Sequence, residues 1–370
     1  MHMTQKDNFL YKNIVLQSSF QTVGHVDEYF IQRTKHLIIW YCMPRMQGYT
    51  NDIYLYEKSK LKAIIHKPSS SHPVFYYLYW LWTYWFVIIV LCKKEEKWIV
   101  FAGHPLLFFG IFLQTYIRSL KFAYWIGDYF PEDKWYIRLY ENLKKHYHNV
   151  IPITYYISDR INRQMNKGVI VNLAYRKTVA WGMKSLHMVK KNMQNKSFAF
   201  IGVIKPSQNI ESVLKYIYNN PQWRLKILGI CEVDYYRKLL TIITKYSIEN
   251  RVLFPNKFIP EDQLKIELED CLLGLALYKS DEHQFMWYAD PGKIKTYLEF
   301  SLPVIMTDSS LMANDVKIFH CGEIVRKQSL DACVHKIAEN YSRYQKGIHN
   351  LIYHYDYLKY YDNQFIALRQ

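Results

Sequence analysis

The sequence predicts an α/β fold made of two Rossmann-like domains that face a central cleft. The chain has 370 residues, which exceeds the usual size of one domain and favours two domains of about 150 residues each. Short apolar runs alternate with helical patterns along both halves, which is typical of a parallel sheet covered by helices. Half of the residues are hydrophobic, so each domain can bury a core.

The second half of the chain shows this alternation most clearly. Strands are predicted at 198–203, 225–230, 251–254, 272–277 and 303–307. Helices are predicted between them at 209–218, 234–246, 260–268 and 291–300. Pro260 and Pro291 suit the first turn of a helix, where a missing N–H group costs no hydrogen bond.

The first half repeats the plan with more aromatic residues. Strands are predicted at 13–17, 36–43, 62–66, 98–102, 122–126 and 150–156, with closing strands at 169–173 and 178–181. Helices are predicted at 26–34, 73–92, 106–120, 134–146 and 159–166. The first domain is therefore expected at 1–182, and a linker rich in Lys, Asn and Met at 183–197. The second domain is expected at 198–346, followed by a helical segment at 347–370 that crosses back to the first domain.

The net charge of +16 favours anionic partners such as nucleic acid, acidic lipid headgroups or phosphate-bearing substrates. A solvated basic surface without a specific partner remains an alternative. No nucleic-acid recognition motif accompanies the charge, so nucleic acid is not an expected partner. The six cysteines form no C-x-x-C pair, and no apolar leader opens the sequence, so a cytoplasmic protein with reduced thiols is expected.

An uncharged, largely aromatic run occupies residues 73–92. Its length permits a membrane span, and two lysines follow it, as at a cytoplasmic flank. Its first half is mostly Tyr and Trp, which prefer membrane interfaces to the hydrocarbon centre. We interpret the run as a helix of the first domain that is buried or dips into a membrane surface. A true span and a plain core helix are the alternatives.

The strongest local signal for a functional site is Asp290, Pro291, Gly292 and Lys293. Asp290 can cap a helix, Pro291 fits its first position, and Gly292 lets a ligand approach the backbone. A helix start offers free N–H groups and a positive dipole end, which suits phosphate. Lys293 is unfavourable in that first turn unless an anion offsets it, which indicates function. The alternative is an ordinary capped helix with a solvated lysine.

The residues from Pro291 to Thr307 resemble a motif of the family-4 (group 1) retaining glycosyltransferases, which have the GT-B architecture. That pattern is roughly Pro-(Gly/Ser)-Lys-Ile-x-Glu-Tyr-Leu-x-x-Gly-x-Pro-Val-Ile. The resemblance implies that this helix holds the diphosphate and ribose of a nucleotide-sugar donor. The segment 198–206, with Gly202, is similar to the first strand and glycine turn of the family's donor domain.

Several positions depart from the family pattern. Val203 and Gln208 stand where the family usually has an Arg and a Lys that bind the donor diphosphate. Lys205 is a shifted substitute for them. Thr296 stands where the family has the Glu that holds the ribose, and its hydroxyl can still bond to a ribose.

Further candidates lie on loops after predicted strands. Gly24 and His25 are acceptor-side candidates, with an incidental surface turn as the alternative. The resemblance places His104 in a family loop and Asp128 near the reacting sugar, where a carboxylate could accept a proton or orient the sugar. Helix-entry turns are the alternative for both of these catalytic candidates.

The loop after the predicted strand 272–277 contains Asp281, Glu282 and His283. The resemblance places these three residues near the hydroxyl groups of the donor sugar, with a solvated acidic loop as the alternative. No Asp-x-Asp or zinc spacing appears, so no metal site is predicted.

The sequence therefore predicts a retaining, metal-independent glycosyltransferase that acts in cell-surface polysaccharide synthesis. Its expected substrates are a nucleotide-diphosphate sugar and a glycan or lipid-linked acceptor, with no separate cofactor. The expected location is the inner face of the cell membrane, where an anionic surface is a possible contact. The alternative is a non-catalytic GT-B scaffold that binds a partner enzyme or a glycan.

Overall fold

The computed structural model describes residues 9–18, 25–41, 51–70, 72–92, 96–102, 120–126, 150–155, 169–171, 192–279, 291–310, 312–325 and 329–369. The chain divides into two compact units. One is Met1–Asn172 with Leu358–Gln370, and the other is Leu173–Tyr357. Each unit contains a mainly parallel sheet, so the predicted α/β class with two Rossmann-like regions is confirmed. The predicted domain and linker limits stay predictions.

The described strands of the first unit form one sheet in the order β4-β3-β2-β1-β5-β6-β7-β8. They are β1 (Tyr11–Ser18), β2 (Thr34–Tyr41), β3 (Asn51–Glu57), β4 (Lys60–Lys67), β5 (Trp98–Ala102), β6 (Leu120–Ile126), β7 (Val150–Tyr155) and β8 (Val169–Val171). Strand β3 is antiparallel to both of its neighbours, and the other pairs are parallel. The strand order reverses between β1 and β5, because the chain runs outward through β2, β3 and β4 on one side and through β6, β7 and β8 on the other.

Strand β3 was not predicted, because the turn that joins it to β4 carries no usual turn signal. Lys58 and Ser59 have φ angles of 49° and 65°. Two central residues with positive φ indicate a type I′ turn, which Asn-Gly or Asp-Gly normally supplies. A second expectation was wrong at one residue: Leu120, predicted to end a helix, begins β6. The rest of that helix, the helices at 134–146 and 159–166 and the strand at 178–181 lie outside the described residues.

Two described helices of the first unit match predicted ones: α1 (His25–Arg33) and α2 (Pro73–Trp85). A π-helical segment, Phe86–Leu91, continues α2. The residues Val74–Leu91 have a mean hydropathy of 1.7, and 28% of them are buried. By length and composition alone they could cross a membrane, a test that core helices of soluble proteins also pass.

The strands of the second unit are all parallel, in the order β11-β10-β9-β12-β13-β14. They are β9 (Ser197–Ile201), β10 (Arg224–Leu228), β11 (Val252–Leu253), β12 (Leu273–Ala276), β13 (Val304–Thr307) and β14 (Gly322–Val325). The helices are α3 (Ile210–Asn219), α4 (Val233–Lys245), α5 (Glu261–Glu269), α6 (Gly292–Glu299), α7 (Met312–Phe319), α8 (Leu330–Glu339) and α9 (Tyr341–His354). The sequence reading missed β14, α7 and α8.

Helices cover both faces of this second sheet. Along β9, Phe198 and Phe200 join an apolar cluster with α3, α4 and α8. Ala199 and Ile201 join a second cluster with α6, α7 and α9. Successive side chains of a strand point to opposite faces, so a strand buried on both faces needs an unbroken apolar run. The run Phe198 to Ile201 is such a sequence.

The end of the chain packs on the first unit through α10 (Tyr357–Gln364). The Arg33 guanidinium donates to both carboxylate oxygens of Asp362 at 3.0 Å, and the Tyr29 hydroxyl donates to the same carboxylate at 3.0 Å. The Phe30 and Phe365 rings lie 5.0 Å apart. A two-point guanidinium–carboxylate contact beside a buried aromatic pair fixes this helix on α1.

Candidate functional site

The sheet of the second unit reverses its strand order between β9 and β12. From this pair the order runs outward through β10 and β11 on one side and through β13 and β14 on the other. In open parallel sheets, ligands bind outside the carboxyl ends of the strands at such a reversal. The loops that follow β9 and β12, together with the start of α6, therefore border the candidate site.

The loop after β9 turns at Gly202, which has a φ of +99°. The Gly202 N–H donates to the Leu228 carbonyl at 3.1 Å. A Cβ at Gly229 would lie 1.8 Å from the Gly202 carbonyl oxygen, so the loop after β10 needs a glycine at that point. The positive φ at 202 and the close approach at 229 bring the two backbones together, and the two glycines leave no side chain of their own at this point.

Helix α6 is fixed at the carboxyl edge of the sheet by Tyr297. Its hydroxyl accepts the Ile201 N–H at 2.8 Å and donates to the Leu275 carbonyl at 3.1 Å. A Cβ at Gly274 would lie 2.3 Å from the Tyr297 ring, so only glycine makes room for it. One buried tyrosine therefore ties α6 to both β9 and β12, and the position of the helix start is set by the core.

Because Tyr297 fixes α6 in this way, Lys293 in the first turn of α6 lies at the point where the strand order reverses between β9 and β12. Its Nζ atom is buried and lies 4.4 Å from the centroid of the Phe200 ring and 5.6 Å from that of Tyr278. Its Cε would be 3.8 Å from a Cβ at Gly202. Among the described residues, no hydrogen-bond acceptor reaches Nζ. The structure thus places Lys293 beside Gly202, and both residues are donor-binding candidates of the sequence analysis.

The ammonium group of Lys293 is in an unfavourable environment. Burial, and second the positive charge of Lys205, lower the pKa of Lys293 to about 7. Burying an unpaired charge is costly, and the usual remedy is neutralisation or an opposite charge. A bound anion would supply the missing partner and return the pKa toward its ordinary value. The arrangement is therefore suited to bind an anion that carries phosphate oxygens.

The sequence reading missed two aromatic residues that shape this site, Phe200 and Tyr278. A cation above an aromatic ring is stabilised by the negative face of the ring. The Tyr278 N–H donates to the Thr307 hydroxyl at 3.0 Å, so this loop is anchored to the end of β13. The available signal was position: Phe200 lies near the end of one predicted strand, and Tyr278 directly follows another.

The structural comparisons match nearly the whole chain. HepE from Anabaena, in complex with UDP and glucose, superposes with a TM-score of 0.64 at 13% identity, covering 97% of this chain and 99% of that one. Sucrose-phosphate synthase from Thermosynechococcus elongatus gives 0.68 at 9% identity, covering 97% and 98%. WaaG, a glycosyltransferase involved in lipopolysaccharide biosynthesis, gives 0.58 at 13% identity, covering 96% and 99%.

The chain has the GT-B fold. At these identities the likeness shows the fold alone. No protein-family model matches the sequence, and no curated protein matches it significantly. The predicted resemblance to GT-B proteins is thereby confirmed at the level of fold, whereas membership of family 4 stays a prediction.

Val203 and Gln208, which stand where the family-4 pattern has two cations, differ in their structural roles. Gln208 is buried, and its Oε1 accepts the Lys205 N–H at 3.1 Å, which closes a short turn before α3. Val203 is 47% exposed. Lys205 has an exposed side chain, and its charge acts on Lys293. Lys205 is therefore close enough to Lys293 to lower the pKa of that residue.

The start of α6 differs by one residue from the expectation. Pro291 is the N-cap, and the helix begins at Gly292 rather than at the proline. A Cβ on Gly292 would meet no atom within 4 Å, so packing does not require a glycine there. The Thr296 hydroxyl donates to the Gly292 carbonyl at 3.1 Å, and its oxygen retains the capacity to accept a hydrogen bond from a ribose hydroxyl.

Several predicted site residues lie outside the described residues. They are Gly24, His104, Asp128, Asp281, Glu282, His283 and Asp290. His25 opens α1. Their proposed roles in a GT-B site stay predictions.

Proposed function

We propose that the protein is a glycosyltransferase that takes its sugar from a nucleotide-diphosphate donor. The observation that carries the proposal is Lys293, whose buried Nζ has no acceptor among the described residues. It lies in the first turn of a helix, where free N–H groups also favour an anion. HepE, which shares the fold, was crystallised with UDP and glucose. By analogy with HepE, a nucleoside diphosphate is the anion that would pair with the Lys293 ammonium group in this chain.

In the proposed reaction the bond between the anomeric carbon and the diphosphate oxygen breaks. The electron pair stays on the departing diphosphate, while the acceptor hydroxyl forms the new bond to the anomeric carbon and gives its proton to a base, for which the Asp128 carboxylate is the candidate. Negative charge grows on the diphosphate in the transition state, so the Lys293 ammonium and the N–H groups of α6 would lower the barrier as well as bind. His104 and Asp128 are the proposed catalytic candidates near the reacting sugar.

The finer assignment rests on the motif that begins at Pro291, Gly292 and Lys293. We propose retention of configuration and transfer without a metal or separate cofactor, as the family-4 resemblance implies. The first domain would bind a glycan or lipid-linked acceptor at the cytoplasmic face of the cell membrane, for cell-surface polysaccharide synthesis. WaaG, of similar fold, is involved in lipopolysaccharide biosynthesis, which supports this direction.

The test is a thermal-shift screen with nucleoside diphosphates and nucleotide sugars, followed by a donor-turnover assay with the compounds that stabilise the protein. A ligand that binds only the folded state raises the melting temperature. We expect at least one nucleoside diphosphate to stabilise the intact protein and not Lys293→Ala. Lys245→Ala, an exposed lysine on α4 of the same unit, is the matched control. Equal stabilisation of Lys293→Ala and of the intact protein would remove the basis of the assignment.

A non-catalytic GT-B scaffold is the second candidate function. It is favoured by Val203 and Gln208, which leave the loop after β9 without the two usual cations, and by the structural use of the Gln208 side chain. This alternative predicts no stabilisation by any nucleotide and no turnover of a donor. A different result, in which a nucleotide binds but no donor is turned over with any acceptor tested, would favour a scaffold that has kept its nucleotide site.

A further inference from the structure

Helix α2 and its π-helical continuation show two faces of different character. Trp80, Tyr84, Val87 and Ile88 are buried. The opposite side exposes large apolar side chains over most of its length: Val74, Phe75, Tyr77, Leu78, Trp82, Trp85, Ile89 and Val90. This exposed set is called the aromatic face below. A monomeric protein in water rarely keeps so continuous an apolar surface uncovered.

Specific hydrogen bonds hold the helix in this orientation. The Trp40 indole N–H donates to the Asn51 side-chain oxygen at 2.6 Å, and the Asn51 amide donates to the Thr83 hydroxyl at 2.8 Å. All three residues are buried, and the Trp40 ring lies 5.8 Å from that of Trp80. Rotating the helix to hide the aromatic face would leave these buried polar groups without partners and would expose Trp80 and Tyr84 instead.

The β3–β4 hairpin, which precedes the aromatic face in the sequence, is rich in lysine. From residue 58 to residue 92 the sequence has four lysines and no Asp or Glu. Three of these lysines, Lys58, Lys60 and Lys62, lie exposed at the turn end of the β3–β4 hairpin, where Lys62 forms an ion pair with Glu57 at 3.3 Å. The fourth, Lys67, joins the hairpin to the helix: its Nζ lies 3.2 Å from the Phe86 ring centroid and 5.2 Å from that of Trp82.

We propose that the aromatic face and the β3–β4 hairpin form a docking surface for an anionic membrane, on which α2 lies in the plane of the lipid headgroups. Trp and Tyr side chains favour the headgroup level, where an apolar ring body and a polar atom are both accommodated. Lysines beside an apolar helix face add attraction to anionic lipids. A soluble protein partner would need acidic groups to match the lysines and would be a different proposal.

The helix lies on the membrane in this proposal and does not span it. A span would have to leave the sheet and carry Thr83 away from its hydrogen-bond partner Asn51. In the plane of the interface only the aromatic face enters the lipid, and the buried face keeps its contacts with the sheet. The surface lies in the first unit and does not depend on the proposed transfer reaction.

The experiment is flotation of the full chain with vesicles of phosphatidylcholine, with and without phosphatidylglycerol. We expect binding to the anionic vesicles and about tenfold weaker binding of the double variant Trp82→Ser/Trp85→Ser, given the apolar area withdrawn from water. The matched control is Ile266→Ser/Ile318→Ser, two residues of the second unit that are each 69% exposed. This control is expected to bind like the intact protein.

A second variant separates charge from apolar contact. Lys60→Glu changes an exposed residue far from any core and is expected to weaken binding to anionic vesicles about tenfold or more, because one positive charge becomes negative. Release of the bound protein by alkaline carbonate is expected of a surface-bound helix, and retention after carbonate would indicate a span and contradict the in-plane arrangement.

Two outcomes would overturn the proposal. One is equal flotation of the intact protein and both surface variants, which would place the membrane contact elsewhere. The other is no flotation together with a dimer in sedimentation velocity that Trp82→Ser/Trp85→Ser converts to a monomer. The second result would show that another copy of the chain covers the aromatic face.

Discussion

Two lysines of this chain lie against pairs of aromatic rings, one in each unit. Lys293 lies over Phe200 and Tyr278, both of which are buried. Lys67 lies over Phe86 and over Trp82, which is 52% exposed. A lysine ammonium group and aromatic rings therefore meet in a buried environment around Lys293 and in a solvent-exposed one around Lys67. Beside exposed rings a lysine keeps its hydration and contributes a surface charge, whereas among buried rings it needs an anion.

The largest expected effect is the loss of donor binding when the buried charge is removed. Lys293→Met keeps most of the side-chain volume and removes the cation, so we expect about 100-fold weaker affinity for a nucleoside diphosphate in calorimetric titration. The folded protein should be no less stable, because the buried unpaired charge is gone. Lys67→Met is the matched control and should leave this affinity unchanged.

The second effect is the pH dependence of that binding. The free protein has Lys293 with a pKa of about 7, and the proposed complex holds it charged. Raising the pH from 7 to 9 removes the proton from the free protein, and affinity should fall about 50-fold. Titrations in buffers of different ionisation enthalpy should show proton uptake on binding near pH 8. A flat affinity profile would mean that the ligand does not contact this lysine.

A third, smaller effect concerns stability without ligand. An unfolded lysine titrates near 10.4 and the folded Lys293 near 7, so the unfolded chain binds more protons between these values. Stability should therefore rise with pH across this window, by about 2 kcal/mol from pH 7 to pH 9 relative to Lys293→Met. Urea unfolding of both proteins at several pH values measures the difference. Parallel curves would contradict the assigned burial.

The smallest expected effect is that of replacing Lys67, the lysine that lies beside an exposed ring. Lys67→Ala removes one positive charge beside the aromatic face, and binding to anionic vesicles should weaken about fivefold. Donor affinity and its pH dependence should stay as in the intact protein. Lys245→Ala serves as the control, since that lysine lies on α4 of the other unit. An effect of Lys67→Ala on donor affinity would show that the two lysines are not independent.

Much of the fold could be predicted because the apolar runs in the sequence coincide with buried strands of the structure. Strand 98–102 was predicted at its observed limits, and the apolar run near Phe198 predicts a strand buried on both faces. Strand β3 was missed because Lys58 and Ser59, in the turn between β3 and β4, adopt positive φ without glycine or asparagine. Strand β14 is only four residues long and starts at Gly322, a weak strand former, so no local pattern indicated it.

The candidate site was predicted in part. The sequence named both Gly202 and Lys293 as donor-binding candidates, through the family-4 resemblance, but it did not show that the two residues lie side by side. The aromatic rings were missed because their contact with Lys293 depends on how Tyr297 sets α6 against β9 and β12. That contact joins residues far apart in the sequence, and no spacing rule records it. Likewise, no pattern could show that Gln208 closes its own turn.

The most direct test of the central claim is a crystal structure of the protein with a bound nucleoside diphosphate. Lys293 is predicted to donate a hydrogen bond from Nζ to a phosphate oxygen, with the phosphate beside Gly202 at the start of α6. The account would be contradicted by a nucleotide bound elsewhere, with Nζ still enclosed by the Phe200 and Tyr278 rings and without an anionic partner.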